Sequence, residues 1–325
     1  MSLAADPPSR LARAGRFLAD NPTLTLIALF LLLVGLLEFM RPGIVSARWA
    51  GNTVKFAIPL AMLAACQTMT MLTGGIDMSA GAVATISAFV VATQTPLLGP
   101  GPAMVVALLP GLLLGLVNGL GVGVFRVHPL IMTLATSLIG IGCLQVYQRS
   151  VIASGSVVPP VLEWLGTGLT RGVPNALLVF VPFAALILWA EKRTGFGRLL
   201  YAVGANEGAA RLSGVRTWQV YLALYAVSGL IAAVAGFLYV GLIKAPSLSL
   251  ALPLLLPSVA AAVIGGTSIF GGRGGFAGAI VGALILRVIE TLLLLTKMPE
   301  GMRIILFGLI IIVVTTAYVR LTGRD

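Results

Sequence analysis

The residues of this chain that could do chemistry are few, and the most prominent lie in MLTGGIDMSAGAV, residues 71–83. Two glycines, Gly74 and Gly75, interrupt an apolar run, and Asp77 and Ser79 follow them. Bilayer hydrocarbon has no water to solvate a carboxylate, so an acid in such a run is costly. Irregular backbone at membrane depth is tolerated only where it is buried in protein or lines an aqueous cavity. We therefore expect Asp77 and Ser79 either to cap the next helix or to contact a solute.

A second pair of charges lies late in the chain. Arg287 and Glu290 stand three residues apart in a segment that is otherwise uncharged from Ala277 to Thr296. At this spacing the two side chains can pair on one helix face, which reduces the cost of burying each of them. Two interpretations stay open: the pair is structural, or Glu290 contacts solute.

The sequence contains no pattern typical of catalysis or nucleotide binding. No G-x-x-x-x-G-K-[ST] phosphate loop occurs, and GGRGG at 271–275 lacks the lysine and reads as a turn. The only histidine, His128, stands before Pro129, and no nucleophile–base pair or zinc cluster accompanies it. We expect no catalytic residue, no metal site and no cofactor bound by this chain. It is therefore predicted not to be an enzyme.

The composition places these residues in a membrane protein. Of the 325 residues, 58% are hydrophobic and 10% are charged, with a mean hydropathy of +1.06. A soluble domain would carry about a quarter charged residues. The net charge of +11 does not indicate nucleic-acid binding, because the basic residues fall mostly in short loops, where they act as topology signals. The chain is predicted to be an all-α polytopic membrane protein.

The uncharged stretches predict about ten transmembrane helices, since a span needs roughly 20 apolar residues. They lie near 23–40, 52–73, 79–95, 102–124, 129–148, 173–190, 218–243, 250–266, 275–296 and 303–319. The third and the eighth are short and interrupted, so we expect partly re-entrant segments. More basic residues fall in the interior loops when the N-terminus is inside. This gives a cytoplasmic segment 1–22, a transmembrane domain 23–320 and a tail 321–325.

Two glycine ladders follow breaks in the apolar runs. Glycine recurs every fourth residue at Gly111, Gly115, Gly119 and Gly123, and again at Gly274, Gly278 and Gly282. In lipid such small-residue strips let helix backbones approach closely, so we expect them to pack helices together. The first ladder follows Gly74-Gly75, and the second follows Gly265-Gly266 and Gly271-Gly272. An internal duplication is one hypothesis that this pattern raises.

The largest predicted cytoplasmic segment, residues 191–217, contains a short capped helix. Asn206 suits an N-cap, Glu207 suits the first turn, and Gly214 suits the C-terminal stop. The small residues of this helix are Gly208, Ala209 and Ala210. A loop that serves only as a topology anchor has no reason to form a capped helix. We therefore expect the helix to insert into a groove on another protein.

Three motifs carry a resemblance to a known family: LTGGIDMSAG at 72–81, VGANEGAARLSGV at 203–215 and AAAVIGGTSIFGGRGGFAGAIVGALIL at 260–286. Over residues 50 to 320 the chain resembles the permease subunits of bacterial ABC importers for ribose and related simple sugars. In that family two permeases span the inner membrane and two ATP-binding subunits dock on the cytoplasmic side. A periplasmic binding protein delivers the solute. The resemblance implies these partners for this chain, with a second permease copy or a sister subunit.

The resemblance, together with the residues above, gives two groups of expected site residues. The expected ATPase-coupling helix comprises Gly204, Asn206, Glu207, Ala209, Ala210, Arg211 and Gly214. The expected translocation pathway comprises Gly74, Gly75, Asp77, Ser79, Asn118, Gly265, Gly266 and Glu290. ATP is expected to be used by the partner subunit.

Two departures from the ribose-type pattern leave the solute open. LALPLLLPSV at 250–259 carries no charge where ribose-type permeases carry acids, and Glu290-Thr291 replaces paired asparagines. Related ABC permeases for branched-chain amino acids, urea or nucleosides are therefore the first alternative. An ion-coupled secondary transporter is the second. It would need several intramembrane carboxylates, and only Asp77 and Glu290 are candidates.

Overall fold

A computed structural model describes residues 22–151 and 155–299, and near the C-terminus 301–302, 304–309, 312–313 and 316. The predicted tail 321–325 and the predicted N-terminal segment, apart from Pro22, lie outside the described residues.

The described part of the chain is almost entirely helical. The helices are α1 (Pro22–Met40), α2 (Ala47–Leu72), α3 (Ala80–Leu98), α4 (Pro100–Gly123), α5 (Pro129–Val151), α6 (Pro160–Thr167), α7 (Leu177–Arg193), α8 (Gly195–Ala205), α9 (Glu207–Leu212), α10 (Thr217–Ile243), α11 (Leu255–Ile264) and α12 (Phe276–Leu295). A single 3-10 turn, Leu252–Leu254, precedes α11. The two-residue strands β1 (Leu169–Thr170) and β2 (Val173–Pro174) pair antiparallel after α6. The described residues from 301 to 316 are helical as well.

An all-α membrane architecture is confirmed at this level. Among the described residues, six helices are long and apolar enough to cross a membrane: α2, α3, α4, α5, α10 and α12. Two shorter apolar helices, Leu24–Met40 and Leu252–Ile264, add to them. The predicted count of ten is not confirmed. Strand β1 and the helices α6 and α8 lie in segments that were predicted to be loops, and β2 lies at the start of the predicted span 173–190.

The centre of the fold is α2. Every residue from Ala57 to Leu72 is buried, as expected for a helix that is apolar on all sides. Helix α10 packs against α2, α3 and α4, and α12 packs against α2 and α11. Asp77 and the Arg287–Glu290 pair therefore lie beside a helix that is enclosed over most of its length.

Both glycine ladders pack helices together, as predicted. A Cβ atom on Gly111 of α4 would lie 2.5 Å from the carbonyl oxygen of Gly229 in α10, so only a hydrogen fits between the backbones. In α12, Gly278 and Gly282 meet the carbonyls of Gly265 and Ala261 in the same way. The first ladder packs on α10, a helix of 27 residues, and the second packs on α11, a helix of 10 residues. The two partner helices therefore differ in length. The duplication stays a hypothesis.

Both helix breaks end the preceding helix with the same backbone arrangement. Gly74 and Gly266 have φ angles of 79° and 89°, a left-handed conformation that costs glycine little. Each donates its N–H to the carbonyl three residues back, at 2.8 and 2.9 Å. The next residue donates to the carbonyl five residues back, at 3.0 Å in both cases. This is the Schellman motif, and it turns the chain at the ends of α2 and α11.

Cysteine labelling tests the predicted orientation of this fold. In a Cys143→Ser background, which removes the exposed native thiol, Thr170→Cys should react with an impermeant maleimide from outside intact cells. Gly208→Cys should react only after permeabilisation, because β1 is predicted to lie outside and α9 inside. Both positions are exposed, so reactivity reports the side of the membrane. The reverse labelling pattern would contradict the topology.

Candidate functional site

The first candidate site is the carboxylate of Asp77, at the break between α2 and α3. Asp77 is 2% exposed. Its Oδ1 accepts hydrogen bonds from the backbone N–H and the hydroxyl of Ser79 at 2.9 and 2.5 Å, and its Oδ2 accepts one from Ser228 of α10 at 2.7 Å. The Gln67 amide of α2 donates to the Asp77 carbonyl at 2.8 Å and accepts from its N–H at 3.2 Å. Hydrogen bonds to Gln67 of α2 and to Ser228 of α10 thus hold the break in place.

Further polar side chains extend this network across the fold. The Asn118 side-chain amide of α4 donates from Nδ2 to the Ser79 hydroxyl at 2.9 Å, and the Thr136 hydroxyl of α5 donates to Asn118 Oδ1 at 2.7 Å. Thr133, one turn earlier in α5, accepts the N–H of Met78 at 2.9 Å. The network therefore joins α2, α3, α4, α5 and α10 around the turn.

This geometry favours a structural role for Asp77. Both carboxylate oxygens are occupied by protein donors, and the side chain is sealed from solvent. Asp77 stands three residues before Ala80, the first residue of α3, and binds the N–H of Ser79, as a capping acid would. The sequence interpretation included Ser79 and Asn118 but missed Gln67, Ser228 and the two threonines. A single amide or hydroxyl within an apolar helix was the only available signal.

The second candidate site is the Arg287–Glu290 pair in α12, which the structure forms as an ion pair. Arg287 also donates from Nε to the Phe56 carbonyl of α2 at 3.0 Å, and its guanidinium lies 5.3 Å from the centre of the Phe56 ring. The Arg287 side chain is 11% exposed, whereas that of Glu290 is 51% exposed. The two side chains therefore differ in their surroundings. Arg287 has further partners on Phe56, and Glu290 remains accessible to solvent.

Glu290 faces a cavity of about 570 Å³ between α2, α10, α12 and the chain near 252–257 and 304–308. The lining residues are Leu60, Tyr239, Leu252, Pro253, Leu254, Leu256, Pro257, Leu286, Arg287, Glu290, Leu293, Ile304, Phe307 and Gly308. The walls are mostly apolar, with polar groups from Arg287, Glu290 and Tyr239. An accessible carboxylate in a transmembrane helix is tolerated where it faces water or protein, so this cavity is the candidate aqueous space.

The predicted pathway residues do not form one site. Gly74, Gly75, Asp77, Ser79 and Asn118 gather at the first break, as described above. Gly265 and Gly266 lie at the second break, where the Gly265 backbone packs against α12. In the described part of the chain, no hydrogen bond joins Glu290 to the Asp77 network. No group of three or more His, Cys, Asp or Glu side chains that could hold a metal was found among the described residues.

The third candidate site is α9, and its predicted ends are confirmed. The Asn206 side chain accepts the N–H of Ala209 at 2.9 Å, and Gly214 follows the helix with a φ of 85°. Glu207 pairs with Arg211 on the same helix at 2.7 Å and with Arg126 from the α4–α5 loop. Burial alone would raise the pKa of Glu207, but hydrogen bonds from Arg211, Arg126 and Thr217, together with the charge of Arg126, outweigh it and lower the pKa below its usual value.

The exposed surface of α9 differs from the predicted one. Gly208 and Ala209 are exposed as expected, but Ala210 is buried, because the Arg126–Glu207 ion pair turns this side of the helix toward the protein. The residue that projects most is Leu212, whose exposed fraction is 93%. Leu212 was missed, although a leucine in the last turn of an otherwise small and polar helix was a usable signal. Gly204, assigned to this helix, lies in α8.

Comparison with known proteins connects these features to a family. Residues 50–315 match the family model described as branched-chain amino acid transport system / permease component. The chain belongs to this permease family. The permease is 32% identical over 312 residues to the galactofuranose transporter permease of Escherichia coli K12, covering 93% of this chain and 90% of the relative. No solved structure matches the permease.

Two further relatives are import permeases for other sugars. The ribose import permease of Haemophilus influenzae is 30% identical over 306 residues, covering 93% of this chain and 94% of the relative. The fructose import permease of Rhizobium meliloti is 31% identical over 321 residues, covering 96% and 89%. The resemblance to simple-sugar importer permeases is therefore confirmed, and it extends over nearly the whole chain.

Proposed function

We propose that this permease is the membrane subunit of an ATP-binding cassette importer for a simple sugar in a bacterial inner membrane. The observation that carries the coupling role is α9: a capped helix of six residues, tied to the α4–α5 loop by Arg126 and presenting Leu212 to solvent. The sugar is proposed from the relatives. Ten crossings are proposed, with α1, α7, the segment 252–264 and a crossing that contains the described helical residues between 301 and 316 added to the six long helices.

The partners follow from this role. The ATP-binding subunit docks on α9 and uses the ATP, so the permease binds no cofactor of its own. A periplasmic binding protein delivers the solute from outside, and a second permease copy or a sister subunit completes the pathway. Nucleic acid has no part in this function. The Glu207–Arg211 and Glu207–Arg126 ion pairs support a rigid docking helix, since they hold α9 in one orientation before any partner binds.

For the pathway, the described geometry supports different roles for the buried Asp77 and the accessible Glu290. Asp77 and its hydrogen-bond network fix the first helix break. Glu290 presents its carboxylate to the cavity and is the proposed solute contact. The mostly apolar cavity walls favour a second candidate, a related permease for a less polar solute such as a branched-chain amino acid or a nucleoside.

Co-purification tests the proposed function and separates the candidates. Tagged permease should bring with it an ATP-binding subunit, and its genomic neighbours should encode a periplasmic binding protein. Calorimetry on that binding protein with ribose, fructose, galactose, leucine, urea and adenosine should detect binding of a sugar. Binding of leucine, urea or adenosine alone would support the second candidate. A permease that purifies alone and transports without any ATPase would contradict both.

A substitution in the cavity tests the role of Glu290. Glu290→Gln should fold normally, because Arg287 keeps the Phe56 carbonyl and ring as partners. Transport should fall about ten- to a hundredfold, as expected when a charge-assisted hydrogen bond of about 1.5 to 3 kcal/mol is lost. The measurement is sugar uptake into proteoliposomes that contain the assembled importer, with the affinity of the binding protein unchanged.

Glu163→Gln is the matched control for this variant. Glu163 forms a partly exposed ion pair with Lys244 outside the cavity, and the substitution removes one negative charge from it. This variant should transport normally. If Glu290→Gln also transports normally, Glu290 does not contact the solute. If it instead fails to fold, the Arg287–Glu290 pair is structural.

A further inference from the structure

The docking helix α9 is connected to the membrane domain through α8. Helix α8 (Gly195–Ala205) is separated from α9 by a single residue. The residue between them, Asn206, closes α8 by donating its N–H to Ala202 and caps α9 with its side chain. No flexible linker separates the two helices. A displacement of α9 is therefore passed to α8 directly.

The end of α8 that adjoins α9 meets the end of α2 at a glycine, Gly204. A Cβ atom on Gly204 would overlap the carbonyl oxygen of Leu72, the last residue of α2, and would lie 2.7 Å from the Gly272 nitrogen. The Gly272 N–H donates to the same Leu72 oxygen at 2.9 Å. This oxygen is one of the helix-terminal carbonyls that have no partner within α2. It is the point where α8, the first break and the turn at 268–275 meet.

The two turns also touch each other beside α8. A Cβ atom on Gly271 would lie 2.7 Å from the Gly204 oxygen and 3.1 Å from the Gly74 nitrogen. The backbone of α8 is therefore in contact with the turn that precedes α12, and that turn is in contact with the turn that ends α2. No side chain intervenes at these contacts.

A buried carboxylate gives α8 a second attachment. The Tyr201 hydroxyl lies 2.5 Å from Glu191 Oε1 and 2.8 Å from the Gly274 carbonyl. Glu191, at the end of α7, accepts the N–H of Phe276 at 3.0 Å and so caps α12. Burial, and then the hydrogen bond and charge of Glu191, raise the pKa of Tyr201 above its usual value, so the hydroxyl remains a donor at neutral pH.

We propose that Glu191, Tyr201 and Gly204 form a clamp through which α8 moves the end of α2 and the turn at 268–275 together when an ATPase displaces α9. The clamp rests on the proposed function, because it needs a partner that acts on α9. Its three residues are positioning residues and touch no solute. Close-packed backbones shift between discrete arrangements more readily than they compress, so we expect a movement of α8 to shift the adjoining ends of α2 and α12 with it.

Two glycine substitutions in the same helix test the clamp. Gly204→Ala places a methyl group against the Leu72 carbonyl and should separate α8 from the end of α2 and from the turn at 268–275. Gly195→Ala is the matched control, because its Cβ would have nothing within 4 Å. Both variants are assembled with the ATPase and the binding protein in proteoliposomes. The readout is molecules of radiolabelled ribose, fructose or galactose, whichever the binding protein binds, taken up per ATP hydrolysed. Gly204→Ala should lower this ratio about fivefold or more, the lower range of energetic couplings between sites, and Gly195→Ala should not.

A second variant covers the case in which Gly204→Ala does not assemble. Tyr201→Phe keeps the ring but loses the hydroxyl that joins Glu191 to Gly274, and it should also lower the ratio. A purely structural role would reduce the yield of complex without changing uptake per ATP. An unchanged ratio in Tyr201→Phe, and in Gly204→Ala where it assembles, would overturn the clamp while leaving the proposed function intact. A wild-type chain that neither assembles nor transports would instead refute the proposed function.

Discussion

Leu212→Asp is expected to abolish assembly of the permease with its ATP-binding subunit while the membrane domain stays folded. The Leu212 side chain is 93% exposed, so replacing it costs the permease little internal packing. In a docked complex the leucine would enter an apolar groove, and aspartate would bring an uncompensated charge there. Burying an unpaired charge in such a groove costs about 2 kcal/mol or more, so we expect the affinity for the ATPase to fall about 30-fold or more.

The measurement is retention of the ATPase by tagged permease in detergent, with thermal unfolding of the permease alone as the check on folding. Leu212→Met keeps an apolar side chain of similar volume and should retain the ATPase. Ala210→Arg is a different kind of change, because Ala210 is buried. It should lower the stability of the permease itself. Normal assembly of Leu212→Asp would show that the ATPase does not dock on this side of α9.

Asp77→Ala is expected to have the largest effect on stability. It removes the acceptor of three donors, the Ser79 N–H, the Ser79 hydroxyl and the Ser228 hydroxyl, in a region sealed from water. Each buried donor left unpaired costs about 1 to 3 kcal/mol, so we expect a loss of at least about 3 kcal/mol and poor expression. Thermal unfolding in detergent measures it.

Ser228→Ala is the comparison for this prediction. It removes one hydrogen bond to Asp77 and leaves the two from Ser79, so its loss of stability should be clearly smaller. An Asp77→Ala protein with wild-type stability and no transport would contradict the structural role. In that case Asp77 would be a solute contact in a conformation other than this one.

The parts of the fold that sequence could predict are those with local causes. The spans follow from apolar length, and the break at Gly74 follows from glycine next to a polar residue. The ends of α9 follow from Asn206 and Gly214, whose effects act within one turn. Each of these features depends on residues that are close in the chain.

The parts that sequence could not predict depend on distant contacts. Ala210 is buried because Arg126, far away in the chain, pairs with Glu207 and fixes the rotation of α9. Glu290 is exposed and Arg287 is not because Phe56 of α2 takes up the guanidinium. Nothing in the residues around Gly204 indicates that the end of α2 lies against it. The composition of such segments is ordinary, and only the packing gives them a role.

Uptake driven by ATP is the most direct test of the central claim that this permease is the membrane subunit of an ABC importer. Proteoliposomes containing the permease and its co-purified ATPase, supplied with the sugar-loaded binding protein, should take up radiolabelled sugar only when hydrolysable ATP reaches the ATPase. Uptake should persist when ionophores remove every ion gradient. Sugar uptake by the permease alone, without ATP and abolished by an ionophore, would contradict the account.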